Sequence, residues 1–182
     1  NRLISWYLEN KRDLPWRNTT NPYKIWLSEI ILQQTRVAQG LPYYIAFVET
    51  FPTVFDLANA SEEQVLKLWQ GLGYYSRDLG GNFPTSYQEL LKLKGIGTYT
   101  AAAIASFSSN EPVPVVDGNV FRVLARYFDV ETDISSTIAK KEFTALAYEV
   151  LDKRNSLQFN QAIMEFGALQ CMPKNPNCYV CV

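Results

Sequence analysis

Histidine does not occur anywhere in this 182-residue sequence. Its absence removes Ser-His and Cys-His nucleophile pairs, His-ligated zinc and the imidazole general base together, leaving carboxylates, Lys and Tyr for any acid-base step. Net charge is scarce too. A formal charge of −1 and a pI of about 5.6 exclude an indiscriminate phosphate binder, which would be distinctly basic. No apolar run approaches the ~20 residues of a membrane span. The start, with Arg2 among mixed polar residues, lacks the apolar stretch of a signal peptide, so an intracellular protein off the membrane is expected. Asn1 at one end and Val182 at the other suggest a piece of a longer protein.

What is present is ordinary for a globular chain: 47% hydrophobic and 19% charged residues, enough for one large domain or two small lobes. Aromatic residues make up 14%, which suits a large core or a cleft that handles flat bases. Apolar positions recur with helical rather than alternating spacing. The pattern predicts an all-α fold with helices near 2–10, 24–39, 41–50, 61–71, 86–92, 98–108, 117–128, 137–152 and 157–170. Ser61 with Gln64 forms a capping-box pattern, with Gly71 as the closing residue of that helix. The glycine-rich junction around Arg77 to Gly80 joins two helical regions with very little between them.

Chemistry concentrates in a few strings. Lys94-Gly95-Ile96-Gly97-Thr98-Tyr99 places two glycines in a tight turn before a small-residue helix, where backbone N–H groups can cradle a phosphate and the Thr98 hydroxyl can cap the helix. Asp117, in Val116-Asp117-Gly118-Asn119, stands at the start of the next helix. Each has an ordinary alternative: a common tight turn and a common N-cap. Glu29 lies in Trp26-Leu27-Ser28-Glu29-Ile30-Ile31, a helix apolar on nearly every side, so desolvation should raise its pKa and suit it to be a general acid; a structural ion pair is the alternative. Two carboxylates could divide protonation of a leaving group from stabilisation of an oxocarbenium-like sugar. Cys171, Cys178 and Cys181 form Cys-x6-Cys-x2-Cys, which argues for a metal or iron–sulfur site over disulfides, with unrelated thiols or a zinc knuckle as the alternative.

These strings resemble the helix-hairpin-helix DNA glycosylases, most closely the adenine DNA glycosylases of the MutY type. The resemblance spans almost the whole chain and rests on Leu14-Pro15-Trp16-Arg17, Trp26-Leu27-Ser28-Glu29, Leu32-Gln33-Gln34-Thr35, Gly71-Leu72-Gly73-Tyr74-Tyr75, the Gly95 hairpin, Val116-Asp117-Gly118-Asn119, Phe159-Asn160-Gln161-Ala162 and the cysteines. It implies a two-lobed fold: one lobe of about 22–116, with the hairpin at about 86–108, and another of 1–21 plus 117–182 with a cysteine loop at 171–181. The implied reaction is hydrolytic removal of adenine mispaired with 8-oxoguanine or guanine in double-stranded DNA, by a monomer, after the base is flipped out. Glu29 would protonate the adenine, Asp117 would stabilise the sugar cation, and Asn119 and Tyr99 would keep sugar, water and carboxylates in register.

Arg17 and Gln161 would contact the adenine edge, with Leu14, Trp16 and Val37 as pocket walls. Gln34 and Tyr74 would fill the vacated stack, Thr35 would contact DNA, and Gly95, Gly97 and Thr98 would grip the DNA backbone. Tyr99 stands where related lyases carry a catalytic lysine, so Schiff-base strand cleavage is not expected. The cysteines would ligate a [4Fe-4S] cluster whose fourth cysteine would follow residue 182. Two departures from the family are visible: the short Arg77-to-Gly80 junction, where roughly another helix is expected, and the lack of a separate C-terminal lesion-recognition domain. A mismatch thymine glycosylase, or a catalytically silent DNA-binding module, remains the alternative reading.

Overall fold

The computed structural model describes residues 1–33, 35–69, 83–133 and 136–182, with the Thr137 side chain left aside. Gln34, Gly71 and Tyr74, and the Arg77-to-Gly80 junction, fall outside the described residues. Among those described there is no strand, and the backbone forms two compact units: Leu14–Ser109, and Asn1–Asp13 with Asn110–Val182.

The Leu14–Ser109 unit is built on α2 (Pro22–Leu32), which packs against α7 (Thr98–Ser109), α3 (Val37–Thr50) and the 3₁₀ turn Pro15–Arg17. Pro22 and the Asn21 side chain, which accepts from Tyr23 N and Lys24 N, start α2. It buries Tyr23, Ile25, Trp26, Leu27, Ser28 and Ile31. On α7 every residue from Thr100 to Phe107 is buried, and Ala101, Ala102, Ala103 and Ala105 let α2 come close. The short α4 (Val54–Asn59), α5 (Glu62–Trp69) and α6 (Tyr87–Leu90) complete the described part.

Two boundaries differ from the sequence reading. The predicted break near residue 40 is not where α2 and α3 part: α2 ends at Leu32 and α3 begins at Val37, and the Thr35 hydroxyl donates to the orphaned Ile31 carbonyl at 2.6 Å. Gly40 is a packing residue, since a Cβ there would lie 2.8 Å from Thr35 Oγ1 and 2.9 Å from Leu32 Cδ2. The sequence reading also passed over α4, which Thr53 and Asp56 open with a reciprocal capping box. The Ser61–Gln64 box that it did read is present at the start of α5.

In the other unit α10 (Ser156–Leu169) lies against α1 (Arg2–Asn10) and α8 (Gly118–Phe128), and α9 (Thr137–Val150) packs on α8. Val120, Leu124, Ala139, Phe143, Ala147, Leu151, Phe159 and Ile163 form its core. Polar side chains are tied into that interior. The buried Asn160 accepts from Val115 N at 3.0 Å and donates to Val113 O at 2.9 Å, pinning the extended approach to α8. Glu165, 1% exposed, accepts from Arg12 Nη2 at 2.6 Å and from Arg12 N and Nε at 2.9 Å. Neither tie was read from the sequence. None of the described helices is long and apolar enough to cross a membrane.

Candidate active site

Asp117 is the N-cap of α8, and its cap and candidate chemistry use different oxygens. Oδ1 accepts from Val120 N at 2.8 Å, while Oδ2 accepts from Asn119 Nδ2 at 2.8 Å. The cap reading therefore holds without using up the carboxylate. Asn119 is fixed from its other end, because its Oδ1 accepts from Arg122 Nη2 at 2.7 Å. The same Nη2 reaches Gly167 O at 2.6 Å, and Arg122 Nε donates to Cys171 O at 2.8 Å. An ideal Cβ on Gly167 would lie 2.6 Å from Asn119 Cβ, so only glycine lets α10 approach the first turn of α8 this closely.

One turn along α8, Arg126 Nη1 donates to Met172 O at 2.7 Å and Nη2 to Pro173 O at 3.0 Å, with Nη1 also 3.4 Å from Cys171 Sγ. Arg122 and Arg126 thus hold the start of the cysteine loop to the helix that carries Asp117. The sequence reading missed both arginines and Gly167. Their signal was available: two Arg at i, i+4 on one helix, and a lone glycine inside a helical pattern. Cys171 is half-buried, while Cys178 and Cys181 are exposed. Among the described residues no three His, Cys, Asp or Glu side chains are gathered as a metal ligand set.

Gln161 is buried on α10, and its Oε1 accepts from the Tyr7 hydroxyl at 2.6 Å. In the Leu14–Ser109 unit, Leu14 and Trp16 are buried, with Trp16 edge-on to Tyr44 at 5.1 Å between centroids. Arg17 ends the 3₁₀ turn, and its backbone N donates to Leu14 O at 2.9 Å. Arg17, Thr35 and Val37, the first residue of α3, are all half-buried. Glu29 sits on α2, flanked by the buried Ser28 and the half-buried Ile30, and is itself half-buried rather than enclosed.

The glycine turn has the backbone its sequence suggests. Gly95 adopts φ 87°, which disfavours other residues, and Ile96 N donates to Leu93 O at 3.2 Å. A Cβ on Gly97 would meet nothing within 4 Å, leaving its backbone open to an external partner. Thr98 is the first helical residue rather than the cap, and the Gly97 carbonyl accepts from Ala101 N at 2.9 Å. Tyr99 follows on the first turn of α7 and is half-buried.

Comparison with known proteins places this geometry in context. Residues 27–79 match the model of the HhH-GPD superfamily base excision DNA repair protein, and residues 78–107 match the helix-hairpin-helix motif. Adenine DNA glycosylase of Homo sapiens is 43% identical across 98% of this chain, and that of Buchnera aphidicola subsp. Baizongia pistaciae is 38% identical across 98%. The chain spans 37% of the human relative and 54% of the bacterial one. The structure of a thermostable thymine-DNA glycosylase matches with a TM-score of 0.85 at 26% identity, covering 98% of this chain and 88% of that one. A non-covalent endonuclease III–DNA complex shares the fold, with a TM-score of 0.77 at 20% identity over 99% of this chain and 87% of that one.

Proposed function

From a chain that belongs to the helix-hairpin-helix base-excision repair superfamily and is homologous to the adenine DNA glycosylases, we propose an enzyme that hydrolyses the N-glycosidic bond of adenine mispaired with 8-oxoguanine or guanine in duplex DNA. The observation that carries this reading is the held carboxylate of Asp117, with Val120 N on one oxygen and the Arg122-braced Asn119 amide on the other. A carboxylate fixed in this way meets a developing sugar cation with little reorganisation. Glu29 supplies the proton to the departing base, and Asn119 keeps Asp117 and the attacking water in register. Tyr99 offers no amine for a Schiff base, so the proposed enzyme leaves the strand intact.

The glycine turn supports a phosphate grip through backbone N–H groups around Gly95 and Gly97, with Thr98 beside them. Arg17 and Gln161 are the proposed readers of the adenine edge, Leu14, Trp16 and Val37 the proposed walls, Gln34 and Tyr74 the proposed fillers of the opened stack, and Thr35 a proposed DNA contact. The chain is proposed to act as an intracellular monomer. Spacing supports Cys171, Cys178 and Cys181 as ligands of a [4Fe-4S] cluster, with iron and acid-labile sulfide in equal amounts as the test. No step above uses that cluster.

Single-turnover release of adenine from duplex DNA with A opposite 8-oxoguanine tests the proposal, with T opposite G as the control. Asp117→Asn and Glu29→Gln are each expected to slow adenine release by about a thousandfold or more without strand nicking, the scale of losing preorganised charge or a general acid. Thymine release in place of adenine would assign the chain to the mismatch thymine enzymes. Undiminished activity in both variants would refute the carboxylate chemistry.

A further inference from the structure

The chain that leads into α8 is short of backbone donors. Pro112 and Pro114 carry no N–H, and Val113 N is spent on Glu111 O at 2.8 Å, so Val115, 1% exposed, must meet its own N–H with a side chain. Asn160 on α10 does this: its Oδ1 accepts from Val115 N at 3.0 Å and its Nδ2 donates to Val113 O at 2.9 Å. A backbone N–H only donates and a carbonyl only accepts, so this pair of partners admits one sense of the amide. A second asparagine ties the segment in the opposite direction. Asn110, in the left-handed region at φ 55°, accepts from Leu157 N at 2.9 Å through Oδ1 and donates to Arg154 O at 3.0 Å through Nδ2. Asn155, the N-cap of α10, makes no side-chain cap bond, so Asn110 caps that helix from outside it.

We infer that Asn160 is a positioning residue for Asp117, with Asn110 as the weaker half of the same clamp. The inference rests on the reading of Asp117 proposed above, as the group that meets the sugar cation. Residues 110–115 take their place from the first turns of α10 at both ends, and Asp117 follows two residues after Val115. Past Asp117 the same helix fixes the chain again, since Gly167 lies against Asn119. Asn160 and Gly167 are seven residues apart, on one face of α10, so the carboxylate is bracketed by a single helix. That helix also carries Gln161. The proposed base-edge contact and the carboxylate are thereby referred to one rigid element. Removing the Asn160 amide takes from the buried Val115 N–H the partner it has here, and the segment must shift to find another. A shift well under 1 Å at Asp117 slows chemistry steeply, while the proposed backbone grip at the glycine turn is left alone.

The test is single-turnover adenine release by the full chain from duplex DNA with A opposite 8-oxoguanine, with affinity for the same duplex measured alongside. Wild type is compared with Asn160→Leu, Asn110→Gly, Asp117→Asn and Phe143→Leu, each rate being taken per folded molecule. Phe143 is a core residue of the same unit with no bond to the segment, and Phe143→Leu reports what lost stability alone does to the rate. Asn160→Leu is expected to slow release about ten- to a hundredfold with duplex affinity within about twofold, while Phe143→Leu leaves both unchanged. Asn110→Gly keeps the left-handed turn, which glycine adopts freely, loses only the amide, and should slow release about threefold, the scale of one hydrogen bond. An unchanged rate in Asn160→Leu, a fall in affinity as large as the fall in rate, or equal slowing in Phe143→Leu overturns the inference and leaves the Asp117 reading intact. If Asn160→Leu does not fold, Asn110→Gly decides on the same three criteria. Asp117→Asn at the wild-type rate, or wild type that releases no adenine, overturns the Asp117 reading and the inference with it.

Discussion

The two units place their candidate functional groups by different physics. In Leu14–Ser109 the work is done by apolar contact: α7 is buried from Thr100 to Phe107, and Ala101, Ala103, Ile104 and Ala105 are 0% exposed beside α2, the helix that carries Glu29. In the unit of Asn1–Asp13 and Asn110–Val182, Asp117 is reached through hydrogen bonds: Asn160 pins its approach, Asn119 holds one oxygen, and Arg122 holds Asn119. Packing tolerates small adjustments of shape, whereas a polar network fails at the first unmatched partner. Damage to the first unit should therefore appear mainly as lost stability, and damage to the second as lost geometry at modest cost in stability.

The largest expected effect probes the packed unit. Ile104→Ala removes a fully buried side chain from α7 and should cost about 3 kcal/mol in urea unfolding, with activity per folded molecule nearly unchanged. If per-molecule activity falls with stability, the division of labour between the units is wrong. Next comes Arg12→Ala in the networked unit. It leaves Glu165 buried with only the Arg12 backbone N among the three bonds that residue now supplies, and because Arg12 is itself part-exposed the loss should be nearer about 2 kcal/mol than the upper range for breaking buried pairs. Urea unfolding of wild type and variant at pH 7 measures that loss.

How much of this the sequence disclosed follows the same line. Periodicity and caps marked α5, α7 and α8 closely, because amphipathic spacing, the Ser61–Gln64 box and the small-residue run are local. The break between α2 and α3 was placed near residue 40, where Gly40 in fact serves close packing, while the Thr35 hydroxyl takes the Ile31 carbonyl nearer the end of α2. Asp117 and Asn119 were legible as a string. What holds them was not, since Arg122 reaches Cys171 across 49 positions and Gly167 matters only for what it lets approach. Long-range polar partners have no sequence period, and so the networked unit was the harder one to read.

Gly167→Ala sharpens the contrast, because its new methyl would compete for space with Asn119 Cβ and backbone rather than with a flexible side-chain tip. Overpacking of this kind should cost about 1.5 kcal/mol, yet shifting Asn119 by a fraction of an ångström should slow base release by about ten- to a hundredfold. Loss of turnover with adenine-duplex binding retained would fit a displaced Asp117–Asn119 pair. Equal loss of both would mean that α10 had moved as a whole.

The smallest expected effect returns to the packed unit and concerns its phenols. Burial pushes the Tyr44 hydroxyl up to about 12, and burial first, then the nearby Asp56 charge, pushes Tyr23 higher still. A phenol raised in this way binds its proton more tightly in the folded than in the unfolded chain. Its contribution is therefore fully present below the unfolded value of 10 and is lost as pH rises from 10 through 12. Tyr44→Phe removes one such group, so the alkaline decline should be shallower by about 1 kcal/mol at pH 11, measured by urea unfolding across pH 9 to 11. A wild-type and variant pair with parallel pH profiles would mean that Tyr44 titrates like an exposed phenol, and that the packed unit excludes water less well than its buried helices imply.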